Sequence, residues 1–463
     1  MIAAEPASFR DPSGRVYEHD GRIFRTVADR AAADYGFVRR SGALDRLVER
    51  GWIVGATEVD RDLLGPVGAA ARHVVEHPRL PFVSYPYEWP FTALKAAALL
   101  HLDCQLALLD SDIMLSDASA YNVQFVGARP VFIDLLSLRQ YRDGEYWTGY
   151  RQFCEQFLNP LLLRARRGIA HHAWYRGSPE GIPTDALARL LPWRDRLSWR
   201  ALTHVFLHAR LQRGADAAVV EEARRVQARP LPRAGLRALL LGLRRWIAGL
   251  DPADRGRTVW ADYTATHTYA PAEEAAKRRF VAEFAAAVRP GLLWDLGCNT
   301  GAYAEVALAA GAGYAVGFDA DVMALDRAFA RAAAGGLRLL PLYQDAADPS
   351  PDQGWRLRER RGLARRAAPD ALIALALEHH LAIGRNVPLP EVVAWLAGLA
   401  PCGVIEFVPK DDPTVRRMLA LREDVFDDYG EPAFRAALAR HARVIRAEAV
   451  SATGRTLFWY DRS

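Results

Sequence analysis

Lysine is almost missing from this chain. Only Lys95, Lys277 and Lys410 occur in 463 residues, so nearly all the positive charge is arginine, interspersed with acids to a formal net charge of +5. No block of like charge forms a tail, and no basic patch marks a nucleic-acid footprint. Cysteine is as sparse. Cys104, Cys154, Cys298 and Cys402 stand far apart with no C-x-x-C pair, which argues against a zinc site and a disulfide framework. Long apolar runs are also lacking: 96–109 is interrupted by His101 and Asp103, short of the roughly 18 residues a membrane helix needs. The first ten residues lack the basic-then-apolar order of a secretory signal, so the cytoplasm is the expected compartment.

A hydrophobic content of 51% and a charged content of 25% are those of an ordinary globular protein, and 463 residues exceed one compact core. Two prolines in 227–232 break the helical pattern and mark a boundary. An amphipathic helix then sets Leu239, Leu240, Leu243, Trp246 and Ile247 against Arg237, Arg244 and Arg245. The expected division is an α+β domain over 1–229, a linker helix over 230–257 and an α/β domain over 258–463. Within the first domain the pattern predicts a hairpin over 11–25, one helix over 31–50 and strand-like pieces at 52–59 and 80–85.

The most informative stretch is 292–301, Leu-Leu-Trp-Asp-Leu-Gly-Cys-Asn-Thr-Gly. An apolar strand ends in Asp295, and Gly297 and Gly301 open an Ala-rich helix. Glycines let the backbone turn sharply and bring its N–H groups close to a ligand at a helix N-terminus. The four-residue spacing of the glycines is not the dinucleotide fingerprint G-x-G-x-x-G. One helix and one return strand later comes Asp319, at the end of the strand 314–318. Parallel strands require such a crossover, and an acid there can accept two ribose hydroxyls. A third cycle ends in Gln344-Asp345. A fourth strand, 371–377, ends in Glu378-His379-His380-Leu381, where a neutral imidazole could take a hydroxyl proton near pH 7. Adjacent residues of a strand point oppositely, so one of the two histidines would face the cleft.

The spelling D-x-G-x-x-x-G, with acids after the second and third strands, resembles the class I S-adenosylmethionine (SAM) methyltransferases. The resemblance implies a doubly wound, Rossmann-like sheet of seven strands over 263–461. SAM would be held by Asp295, Gly297, Asn299, Gly301, Asp319 and Asp345, with His379 or His380 as base. Asn299 stands where most members carry glycine. Asn tolerates left-handed angles better than other non-glycine residues. No metal is expected in this domain. Tyr269, ahead of the helix that precedes the first strand, is a candidate lid residue.

In the first half, a helical pattern over 91–109 leads to Asp117, Asn122 and a strand ending in Asp134. This order resembles the catalytic loop and metal-binding Asp of the protein-kinase-like fold, which implies Mg/ATP at those residues. The family's His-Arg and Phe-Gly partners are replaced by Leu115-Ser116 and Leu135-Leu136, and no lysine precedes Lys95; Arg25 is the available substitute. His204 and His208 lie four apart without the glutamate of H-E-x-x-H.

At finer grain, Asp-Ala-Ser-Ala-Tyr-Asn before Ile-Asp, Asp-Leu-Gly-Cys-Asn-Thr-Gly, His-His-Leu-Ala-Ile and Glu-Phe-Val-Pro-Lys together resemble a bacterial group of nodulation-type methyltransferases. That label implies O-methylation of a hydroxyl on a glycan or another small acceptor. The alternatives are a bifunctional kinase and methyltransferase on a saccharide end, or a methyltransferase whose first domain is a binding module.

Overall fold

The computed structural model describes residues 2–207, 209, 230–254, 271–420 and 422–463. Tyr269 and His208 lie outside these residues. The chain divides into two compact units, one of Met1–Phe125, Arg129–Arg255 and Gln353–Arg360, the other of Val126–Ala128, Gly256–Asp352 and Arg361–Ser463.

In the first unit a five-stranded antiparallel sheet runs in the order Ala3–Ala4, Val16–His19, Arg22–Val27, His73–His77, Thr57–Val59. The expected single helix after the hairpin is two, Asp29–Arg40 and Ala43–Glu49, because Gly42 turns left-handed at φ 66°. Residues 80–85 are irregular and form no strand, as Pro81 and Pro86 leave no regular ladder.

The helix Phe91–Leu109 is buried along most of its circumference. By length and composition alone it could cross a membrane, contrary to expectation, because Lys95 and Asp103 are its only charges; 67% of its most apolar window is buried inside the protein. Both charges meet the helix Arg233–Ala248 or the residues just after it. Lys95 Nζ donates to the Leu250 carbonyl at 2.7 Å, and Arg244 grips the Asp103 carboxylate. That second helix buries Leu236, Leu240, Leu243 and Ile247 and packs on Phe91–Leu109. The expected linker helix therefore belongs to the first unit, since its apolar stripe has a partner there.

The second unit is a doubly wound α/β sheet of seven strands. Its order is Leu339–Tyr343, Tyr314–Asp319, Leu292–Leu296, Ala371–Ala374, Cys402–Phe407, Thr456–Asp461, Arg443–Ala449. The first five are parallel, and the last two pair antiparallel. Leu293, Ala315, Leu339, Ile373 and Val404 meet Phe280, Phe284, Ala304 and Ala307 in one core. Strands buried on both faces read as continuous apolar runs, which makes the first five legible in the sequence. The strand order reverses between Leu292–Leu296 and Ala371–Ala374, the switch point at which ligands bind in such sheets.

Candidate functional site

Asp295 sits within the central strand of the second unit, 2% exposed. Burial, reinforced by the charge of Asp319, pushes its carboxyl up to about 7, although the Ala304 amide donates to it. Its Oδ2 is buried without a hydrogen-bond partner. A buried acceptor left unpaired is costly unless a ligand supplies the donor.

The turn beyond it winds left-handed at three positions: Gly297 at φ 76°, Asn299 at φ 47° and Gly301 at φ 76°. At Gly301 a Cβ would fall 2.7 Å from Leu339 Cδ2, so a side chain there would have to displace Leu339 as well as hold a left-handed backbone. Asn299 holds the strained conformation with its own side chain, whose Oδ1 accepts from the Thr300 amide at 2.9 Å. Its backbone N–H donates to Asp319 Oδ2 at 2.8 Å, which ties the turn to the end of the neighbouring strand.

Asp319 Oδ1 accepts from the Asp321 amide at 2.8 Å. Burial pushes this carboxyl up to about 6 although three backbone amides oppose the shift. Three amides on a carboxylate with about four lone-pair sites leave room for a ligand hydroxyl. The nearby Asp321 is engaged elsewhere, as its Oδ1 caps the helix Val322–Gly335 through the Met323 and Ala324 amides.

Asp345 follows the third strand. The Gln344 amide donates to the Asp319 carbonyl at 2.9 Å, so the second and third strand ends are adjacent. Asp345 Oδ1 accepts from the Ala347 amide at 2.9 Å, and its Oδ2 pairs with Arg385 at 3.0 Å. Beside it, Gln344 is buried, and its Nε2 has no partner while its Oε1 accepts from Ser350. The sequence gives no signal for Gln344, because an amide carries no charge.

The histidine pair is not at a strand end. The fourth strand stops at Ala374, Ala376 turns left-handed at φ 49°, and Glu378–Ala382 is a helix. Adjacent residues on a helix lie about 100° apart and do not point to opposite faces. His379 and His380 accordingly lie side by side, with ring centroids 4.1 Å apart. His379 is 1% exposed, and its Nδ1 lies 3.0 Å from Glu378 Oε2. Burial holds the His380 imidazole down to about 3, and the charges of His379 and Arg455 push the same way.

Nothing in the spelling around the pair marks Glu378, yet it is wholly buried and central. Its Oε1 accepts from the Val408 amide at 2.7 Å and from the Tyr429 hydroxyl at 2.8 Å. Buried ion pairs among the described residues of this unit include Lys277 Nζ with Glu406 Oε1 at 2.6 Å, and Arg455 with both oxygens of Asp412 at 2.7 and 2.8 Å. Burial opposes ionisation of Asp412, but the Arg455 bonds outweigh it and hold the carboxyl at about 2. Among the described residues, no group of His, Cys, Asp and Glu could hold a metal ion.

In the first unit Asp117, Asn122 and Asp134 do come together. Asn122 Nδ2 donates to Asp134 Oδ2 at 3.2 Å, and Arg25 reaches Asp134 Oδ1 at 2.8 Å and Asp11 Oδ2 at 2.6 Å. Burial and the charge of Asp134 push the Asp117 carboxyl up. His204 Nδ1 lies 2.7 Å from the Tyr150 hydroxyl.

The orphaned Asp295 oxygen, the left-handed turn and the acids at three adjacent strand ends are acceptors of the kind that the donor groups of SAM would need.

No family model matches the chain. Solved structures with distant similarity include magnesium protoporphyrin IX methyltransferase (ChlM) from Synechocystis PCC 6803 with bound SAH, 19% identical, covering 48% of this chain and 95% of that one at a TM-score of 0.31. N-methyltransferase NodS from Bradyrhizobium japonicum WM9 is 13% identical, covering 41% and 96% at 0.31. WbdD with the kinase inhibitor LY294002 is 17% identical, covering 41% and 40% at 0.29. Likenesses this remote carry no argument about chemistry. The curated relative is of another order: nodulation protein NoeA of Rhizobium meliloti (strain 1021) is 47% identical over 469 aligned positions, spanning 100% of this chain and 98% of its own length. The chain belongs to the family of nodulation protein NoeA.

Proposed function

We propose that the chain is a SAM-dependent methyltransferase acting on a hydroxyl oxygen, with the activity in 258–463. The observation that carries this reading is the arrangement of Asp295, Asp319 and Asp345 at the ends of three adjacent parallel strands, around a turn that leaves one buried carboxylate oxygen unpaired. Asp295 would hold the ammonium of SAM, Asp319 the ribose and Asp345 the adenine amino group, with Gly297, Asn299 and Gly301 giving the backbone close approach. Bound SAM supplies an electrophilic methyl that needs no acid catalyst, leaving its electron pair on sulfur. The histidine pair takes the proton of the acceptor hydroxyl, and the buried site keeps water from competing.

Isothermal titration of SAM into the full chain tests the cofactor assignment. The expected result is saturable binding that Asp295→Ala weakens by about 10-fold or more; absent binding to the unmodified chain would refute it. For the acceptor we take a glycan hydroxyl, the class implied by the resemblance to nodulation-type methyltransferases. Labelled SAM incubated with fractionated cell extract should place the label in a saccharide fraction.

The Arg25 contact favours a binding role for the first unit over phosphoryl transfer. Asp134 would have to face magnesium, yet its charge is already met by the Arg25 guanidinium, which opposes a second cation at the same carboxylate. The expected outcome is no magnesium-dependent ATP turnover, with the first unit selecting the methyl acceptor. Turnover lost in Asp134→Ala would instead establish the bifunctional enzyme. The four free cysteines agree with action in the reducing cytoplasm, the compartment we assign.

A further inference from the structure

We propose that Glu378 is the positioning residue of the methyl-transfer site: it accepts the Nδ1 proton of His379, fixes that imidazole in one tautomer and leaves Nε2 to take the substrate proton. This rests on the methyltransferase reading and decides between two histidines that the reading leaves equivalent.

Two backbone amides, one hydroxyl and one ring nitrogen meet one carboxylate, and the hydroxyl, that of Tyr429, also lies 2.6 Å from the Val408 carbonyl. Oε1 accepts from the Val408 amide and the Tyr429 hydroxyl, and Oε2 accepts from the His379 amide and lies 3.0 Å from His379 Nδ1. Two of these donors are backbone N–H groups, one on each oxygen, and a backbone N–H cannot reverse its polarity. An ionised carboxylate accepts at both oxygens; a glutamine would turn its NH2 toward one of the two amides. With Oε2 an acceptor, Nδ1 of His379 must carry hydrogen, so its Nε2 is the bare nitrogen.

The surroundings of the pair support the same choice. His380 packs against the His379 ring and lies in the field of Arg455, and its imidazole is a weak base, held down at about 3. Arg455 is itself bound to Asp412 and lies 3.5 Å from Glu406, so its charge is fixed in place. His379 has the Glu378 carboxylate against its Nδ1, which orients the ring and stabilises the imidazolium that forms. In the step, the acceptor O–H bond breaks and the Nε2–H bond forms. The electron pair left on oxygen would make the bond to the methyl carbon as the carbon–sulfur bond breaks and its pair stays on sulfur, and the proton would later leave His379 for water.

The test is a long-range proton–nitrogen NMR correlation on the full chain labelled with nitrogen-15 in histidine, His379 being assigned by the signal lost in His379→Gln. The expected spectrum shows Nδ1 protonated and Nε2 bare, and Glu378→Gln and Glu378→Ala each replace this single form by a mixture. An Nε2-protonated His379 in the unmodified chain, or an unchanged tautomer in a folded Glu378→Ala, overturns the proposal. If both variants fail to fold, the unmodified spectrum still decides. Label transfer into the acceptor fraction should fall about 10-fold or more in Glu378→Gln with SAM affinity retained. Failure of the methyltransferase reading is separable, since it appears as absent SAM binding whatever the tautomer.

Discussion

The two units each gather acidic side chains at what could be a ligand site, and they treat the charge in opposite ways. In the first, Asp134 and Asp11 share the guanidinium of Arg25, and Asn122 occupies the remaining oxygen of Asp134. In the second, Asp295 and Asp319 have backbone amides to relieve their burial, and one oxygen of Asp295 has nothing. The first cluster carries its own cation, although Asp117 beside it is still pushed up by burial and by the charge of Asp134. A cluster held at raised pKa awaits a cation or donor from outside, which is how perturbed groups mark functional sites. The difference therefore lies in the unpaired oxygen of Asp295 and in the Arg25 guanidinium of the first unit, not in a raised pKa alone.

If the second unit is the reactive one, the heaviest loss should come at His379. His379→Gln should lower label transfer by about 10²- to 10⁴-fold, the range of general base catalysis, while SAM still binds. Next, Lys277→Met leaves Glu406 buried without its cation and should destabilise the second unit by about 3–5 kcal/mol, read by denaturant unfolding. Unchanged stability there would mean that Arg455, 3.5 Å from Glu406, already suffices.

A weaker effect is one of pH. Asp295 at about 7 and Asp319 at about 6 hold protons in the folded state at pH values where the unfolded chain, near 3.8, has released them. The folded state thus binds more protons between about pH 4 and 7, so stability falls as pH rises through that window. Asp295→Asn should flatten the slope, and thermal melts of the SAM-free protein across that range check it. Weakest is Asn299→Gly, which relieves left-handed strain but loses the Thr300 bond; a change in stability under about 1 kcal/mol is expected from unfolding curves.

Legibility in the sequence depended on the range of the interaction. The five parallel strands and the turn 292–301 are local patterns, apolar runs ended by acids and glycines, and they appear where the residues predict them. The order Asp295, Asp319, Asp345 is readable because each belongs to its own strand. The break at Ala374 is not, since Ala-Leu-Ala-Leu before Glu378 suits strand and helix equally and only the left-handed Ala376 ends the strand. The roles of Lys277 and Arg455 are invisible because their partners lie 129 and 43 residues away. Even so, the rarity of lysine is a usable signal. Of three lysines, one forms a fully buried ion pair in the candidate catalytic unit. The amphipathic stripe of Arg233–Ala248 is plain, but no pattern within it names Phe91–Leu109 as its partner.

Everything proposed for the second unit depends on the unpaired oxygen of Asp295 belonging to a SAM site. Calorimetric titration of SAM into the full chain, beside Asp295→Ala and Asp134→Ala, decides it. Binding to the unmodified chain, a loss of about 10-fold or more in Asp295→Ala and no change in Asp134→Ala are expected. Equal affinity in all three proteins, or no binding to the unmodified one, would contradict the assignment.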